Sequence, residues 1–160
     1  MKSAEYYFEA AAKQARMAKC HHAKCGSVVV SKAGKIIGVG YNAPPLDDEQ
    51  QRYCGVDFDL SIKPKYDKTC CVHAEWNAIL DALKNAGKEI NGGTLYFMRV
   101  DDSGNWTDAS EPYCTVCSRL AMQSGLSNFT LWVNDQPKVY SVGDYNKVSY
   151  DFHKKVNGNN

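Results

Sequence analysis

Between positions 3 and 19 apolar residues recur at three- and four-residue spacings, at Ala4, Phe8, Ala11, Ala15 and Ala18, which predicts an amphipathic helix with Ser3 as its N-cap. Two β-branched runs follow, GSVVVS and KIIGVGYN, and their junction at Lys32-Ala33-Gly34 predicts a hairpin. From Ala43 to Thr69 the chain is polar, holds Pro44, Pro45 and Pro64 and sustains no period, so it reads as a long loop, a functional or mobile feature in most compact domains. CVHAEWNAILDALKNAG then sets Trp76, Ile79, Leu80 and Leu83 in the i, i+3, i+4, i+7 pattern of a helix with a core-facing stripe, stopped by Gly87. GTLYFMRV reads as a strand and DDSGNWTDAS as a polar turn or insertion. PYCTVCSRLAMQSG reads as a helix with Pro112 near its start and Gly125 past its end, and NFTLWVN as a fourth strand. Beyond Pro137, Val148, Phe152 and Val156 lie four apart and predict a last helix, after which NGNN frays. The order helix, strand, strand, helix, strand, helix, strand, helix predicts an α/β fold: a single mixed sheet with helices on both faces. One domain covers 1–160, with a flexible tail from about 157.

Composition narrows the class without changing that picture. A chain of 160 residues buries roughly 70% of its unfolded surface and needs no staples. Hydrophobic residues at 44%, charged residues at 23% and a formal net charge of +1 are those of an ordinary globular protein, with no basic excess to draw nucleic acid. No stretch approaches the ~20 apolar residues of a membrane span, and the first residues lack the apolar core of a signal segment, so a cytoplasmic protein is expected. In that setting seven cysteines point to thiols used for metal, catalysis or packing, and to zinc first.

The chemistry lies at two predicted helix starts. Cys114 and Cys117 sit three apart, a spacing that serves a redox pair, half of a structural zinc knot or two ligands of a catalytic metal. At i and i+3 they share a face, and a helix N-terminus favours the thiolates a metal needs. His73 and Glu75, two apart, point about 200° from each other on a helix flank and can share a site only over its N-terminal end. Two thiolates and one neutral imidazole balance Zn²⁺ and leave a fourth tetrahedral position, the mark of a catalytic site. Water there ionises near neutral pH, and a carboxylate beside the metal moves protons to a leaving group. H-x-E followed by P-C-x-x-C is the order found in zinc deaminases, and HAE and EPYCTVC stand in that order here.

With these residues the chain resembles the cytidine and deoxycytidylate deaminase superfamily. KCHHAKCGSVVVSKAGKIIGVGYNAPP, CVHAEWNAI and CSRLAMQSGLSNFTLW are similar to the first hairpin, histidine helix and cysteine helix of its deoxycytidylate branch, and together span most of residues 20–132. The resemblance implies a three-layer α/β/α fold, zinc ligands His73, Cys114 and Cys117, and Glu75 as proton shuttle. It also implies that Asn42 contacts the nucleoside and that the Ala74 N–H holds the pyrimidine carbonyl. The implied reaction is attack on C4 of cytosine, most simply dCMP to dUMP with loss of ammonia, by a homo-oligomer acting on a small nucleotide. The alternatives are another free base or nucleoside, a base in single-stranded nucleic acid or tRNA, or a non-catalytic zinc module; the net charge of +1 and Glu75 weigh against the last two.

Two departures bear on substrate. Tyr113 separates Pro112 from Cys114, where the family has proline directly before cysteine, and is either a one-residue accommodation or part of the pocket wall. Asp47 and Asp48 follow the Gly-Tyr-Asn stretch and would repel a phosphate they faced, with Arg52, Lys63, Lys65 and Lys68 as possible compensation. CHHAKC, with Cys54, is a candidate second, structural zinc site, although buried thiols and exposed histidines are the simpler expectation; Cys70, Cys71 and Trp76 read as packing residues.

Overall fold

The computed structural model describes residues 2–54 and 70–156, Val156 by its backbone only. Helix α1 spans Ala4–Arg16, strands β1 and β2 Lys24–Val30 and Ile36–Tyr41, and helix α2 Ala74–Ala86. Strand β3 (Thr94–Val100), strand β4 (Trp106–Thr107), helix α3 (Thr115–Gln123), strands β5 (Asn128–Val133) and β6 (Gln136–Ser141) and helix α4 (Val142–Val156) complete it. The sheet runs β2-β1-β3-β5-β6, mixed as expected: β3 pairs parallel with β5, and the other pairings are antiparallel.

Alternation along the central strands divides the core into two layers. Val28, Val30, Met98 and Val100 face α1, where Tyr7, Phe8, Ala11, Ala12 and Ala15 are buried. Val29, Leu95, Phe97, Phe129 and Leu131 face α2, α3 and Tyr145 of α4. This is the three-layer α/β/α arrangement. Ser3 stands at the N-cap position of α1, and Pro44 and Pro45 begin the described part of the long loop with a short 3-10 turn.

The structure corrects the expected elements in three places. Among the described residues six strands form instead of four. The polar stretch after β3 contains β4, which takes over the edge of β3 beyond β5 by pairing Arg99 with Thr107 and Val100 with Trp106. Trp106 packs edge-on to Trp132, and both lie near Phe8, so this turn is anchored by aromatic burial. The stretch after β5 turns at Asn134 and Asp135, both with positive φ (52° and 57°), and returns as β6 before α4 begins. Two consecutive left-handed residues match the right-handed twist of a tight hairpin, and Asn and Asp tolerate that conformation best among non-glycines.

The third correction concerns the buried face of α2. Its core side is Ala74, Glu75, Ala78, Ile79 and Ala82, while Leu80 and Leu83 are 42% and 41% exposed and Trp76 is half-buried. The reason lies in β2: a Cβ at Gly40 would meet the backbone of Ala74 and Ala78, and one at Gly38 that of Ala78 and Ala82. The helix rests on a glycine track that admits only alanines, and the leucines turn outward. The loop at 55–69 and the tail at 157–160 lie outside the described residues.

Candidate metal centre and active site

Both predicted helix starts carry their donors at the cap. Val72 exchanges backbone hydrogen bonds of 2.8 and 3.3 Å with Ala43, which extends β2 and delivers His73 to the N-cap of α2 in extended conformation. Cys114 is the N-cap of α3, and its Sγ accepts the Cys117 N–H at 3.2 Å, the bond a capping oxygen would otherwise accept. Cys117, fully buried, sits on the first turn. His73 Nδ1 lies 3.1 Å from Cys117 Sγ and 3.5 Å from Cys114 Sγ, and the three donor atoms fall within 4.8 Å of one another. The two sulfurs are paired as a disulfide with Cα atoms 5.3 Å apart. Reduced, the same pair with the imidazole gives the S, S, N donor set that suits Zn²⁺. The positive ends of two helices favour the thiolates. Among the described residues no fourth His, Cys, Asp or Glu joins this group, which fits an ion with one position left for a reactant.

Glu75 lies on the first turn of α2, 6% exposed, and its negative charge reaches Cys25, Arg99, Tyr113 and Tyr145. Burial, and then this carboxylate, push the Cys25 thiol up to about 12, so Cys25 stays a neutral thiol at neutral pH. Ala74, fully buried, is the first residue of α2, where a backbone N–H has no intrahelical acceptor. Trp76 packs against the core as expected, and its ring also stacks on His73 with centroids 5.0 Å apart and planes 18° apart. Asn77 Nδ2 donates to the Tyr41 carbonyl at 2.8 Å and ties the start of α2 to the end of β2.

Asn42 is buried and stitches two strands. Its Oδ1 accepts the Cys25 N–H at 2.9 Å and its Nδ2 donates to the Ala23 carbonyl at 2.8 Å. One N–H and one lone pair of the amide remain for a ligand. Tyr113 is 40% exposed and tethered at both ends: Arg99 Nη2 donates to its hydroxyl at 2.6 Å, and His153 Nε2–H donates to its carbonyl at 2.7 Å. Phe152 lies 5.9 Å from its ring, so the last turns of α4 close on the residue before Cys114. Arg99 was not among the expected site residues. Its signal is the two-residue period of β3, which puts it in phase with buried Leu95 and Phe97.

The other charged and thiol candidates divide. Asp47 is neutralised by Lys19 at 2.6 Å and accepts from the Tyr41 hydroxyl, while Arg52 is held by both carboxylate oxygens of Glu49 at 2.6 and 2.8 Å. Lys63, Lys65 and Lys68 lie outside the described residues. Cys25 departs from CHHAKC toward the active site, and His21 and His22 are exposed. Cys54, Cys70 and Cys71, by contrast, gather within 4.8 Å of one another, with Cys20 beside Cys71. Cys70 and Cys71, expected as packing residues, stand with Cys54 in a group of three thiols that could hold a metal ion.

Residues 1–132 match the family model described as the cytidine and deoxycytidylate deaminase zinc-binding region. The deoxycytidylate deaminase of Pongo abelii is 29% identical over 124 residues, 76% of this chain and 60% of that protein, so the chain spans about three-fifths of the length of the curated relatives it matches. Among solved structures, dCMP deaminase from the cyanophage S-TIM5, in complex with dCMP and dUMP, aligns at TM-score 0.53 and 23% identity over 81% of each chain. Cytidine deaminase from Burkholderia pseudomallei aligns at TM-score 0.56 and 21% identity over 90% of this chain and 96% of that one. At such identities the structural likenesses establish the fold.

Proposed function

The chain belongs to the cytidine and deoxycytidylate deaminase zinc-binding family, and from that premise we propose that it is a zinc-dependent hydrolase converting dCMP to dUMP with release of ammonia. The observation that carries the reading is the convergence of His73, Cys114 and Cys117 within 4.8 Å, with buried Glu75 on the same helix end. Zn²⁺, when bound, lowers the pKa of water to near neutrality. The chain's residues supply the rest. Trp76 holds the His73 ring in place for metal binding. The Ala74 N–H holds the pyrimidine carbonyl, and the free half of the Asn42 amide meets the sugar. Glu75 takes the proton released as water adds to C4 and passes it to ring N3, then takes the proton of the new C4 hydroxyl and gives it to the exocyclic amine, which leaves as ammonia while the C4 carbonyl forms. Tyr113, braced by Phe152 and His153, forms the pocket wall.

The monophosphate is favoured by the names of the curated relatives and by the nucleotides bound in the phage enzyme. A homo-oligomer completes the reading, supported by the outward Leu80 and Leu83 on the helix that carries His73 and Glu75. The test is ammonia release by the zinc-loaded chain from cytosine, cytidine, deoxycytidine, their monophosphates, guanine and a cytosine-containing oligonucleotide. Release from dCMP ahead of the others is expected. Activity on the oligonucleotide alone, or none with a full complement of zinc, overturns the reading.

A further inference from the structure

We propose that Arg99 is a specificity-determining residue of this site, whose guanidinium binds an acceptor oxygen of the substrate, either the ring carbonyl or a phosphate. The inference rests on the deaminase reading for the identity of the substrate, but its structural ground is separate. β3 alternates, so the phase that buries Leu95 and Phe97 against α2 and α3 carries Arg99 to the same face, opposite Cys25 across the β1–β3 pairing. There the cation meets three groups of the site: the Tyr113 hydroxyl at 2.6 Å, the Cys25 thiol and the charge of Glu75. A guanidinium offers five N–H donors. Its Nε is buried and has no acceptor among the described residues.

Buried donors without a partner are rare, because each forfeits its hydrogen bond to water. An arginine kept solely as a partner for Glu75 or Tyr113 needs no such surplus donor. A substrate oxygen satisfies it. Tyr113, whose hydroxyl receives the Arg99 N–H, orients the fork, and α4 holds Tyr113 in turn through His153 and Phe152. The residue inserted before Cys114 and the arginine on β3 thus act as one recognition element.

The experiment uses the zinc-loaded chain with Arg99→Met, which removes charge and donors at similar length, and Arg99→Lys, which keeps the charge and loses the fork. KM and kcat are measured on dCMP and deoxycytidine, the binding of dUMP and deoxyuridine by calorimetry, and zinc content and thermal midpoint on every variant. In Arg99→Met a rise in KM and in the dUMP dissociation constant of roughly tenfold or more is expected, the size of a lost charge-assisted hydrogen bond. The KM effect should exceed the kcat effect, with zinc retained. A rise confined to the monophosphates identifies a phosphate oxygen, and an equal rise for the nucleosides the ring carbonyl. Unchanged KM and dUMP affinity in folded, zinc-loaded Arg99→Met overturns the proposal; should that variant fail to fold, unchanged values in Arg99→Lys overturn it. Wild-type chain that binds dUMP yet releases no ammonia from any substrate sinks the deaminase reading and leaves this test standing on binding.

Discussion

Glu75 shows how much one position constrains. A carboxylate 6% exposed on a helix's first turn is costly to bury, and the helix's positive end and the nearby Arg99 offset that cost. The proposed role of such a residue is proton transfer. Glu75→Gln keeps the size and removes the basic oxygen: ammonia release should fall by about 10²- to 10⁴-fold, while zinc content stays at the wild-type level. A variant with more than a tenth of wild-type activity would remove Glu75 from the proton path. The candidacy of Glu75 was legible from H-x-E beside a C-x-x-C pair. Arg99 was legible only in part, since its period placed it inward but nothing in the sequence said that the inward face at that end of β3 borders the metal centre.

At the scale of elements, α2 is positioned by the strand beneath it. Gly40→Val sets a side chain against the backbone of Ala74 and Ala78 and must lift the helix start that carries His73 and Glu75. A loss of about 1 to 3 kcal/mol in stability is expected, read as a lower denaturation midpoint, together with weaker zinc retention; a variant of wild-type midpoint would show that the helix has slack. The sequence period rightly announced α2 and its buried Ile79, but the same spacing also put Leu80 and Leu83 on the core stripe. Here the glycines of a different element decided burial.

Asp108 makes a similar link between elements, accepting the Ser110 N–H and the Asn134 N–H at 2.7 Å each, so that it ties the loop before α3 to the β5–β6 turn. The Asn134 and then the Ser110 amide hold its carboxyl below the ordinary 3.8. A carboxyl lowered on folding stabilises fully above the ordinary value and loses that contribution as pH falls through the lowered one. Asp108→Asn should therefore reduce the thermal midpoint at pH 6 and narrow the gap to wild type as pH falls toward 3. A gap that stays constant over that range would assign the effect to something other than ionisation.

For the whole molecule, the candidate metal group joins the N-terminal ends of two helices, with His73 from the start of α2 and Cys114 and Cys117 from that of α3. An ion bound only by the folded state stabilises it in proportion to the logarithm of its concentration over its dissociation constant. Prolonged chelation under reducing conditions should lower the thermal midpoint and abolish ammonia release, with both restored by Zn²⁺ and neither by Mg²⁺. Loss of activity with an unmoved midpoint would mean that the ion does not brace the fold. No helix among the described residues is long and apolar enough to cross a membrane.

The sequence by itself determined the α/β class with helices on both faces, the helices and the first hairpin, because these rest on local periods, while the donor set His73, Cys114 and Cys117 came from the resemblance that its motifs carry. Tertiary structure decided the rest. β6 has a mostly exposed, polar strand pattern and is stabilised by pairing with β5 after a left-handed two-residue turn. The outward leucines of α2 follow from glycines more than thirty residues away, and Trp76, which its helical period assigned to the core, stacks on His73. Cys54, Cys70, Cys71 and Cys20 gather only because three segments fold together, and Arg99 meets Tyr113 and Glu75 only because β3, α2 and the segment before α3 converge. Contacts between distant segments depend on register and packing, which no local pattern encodes.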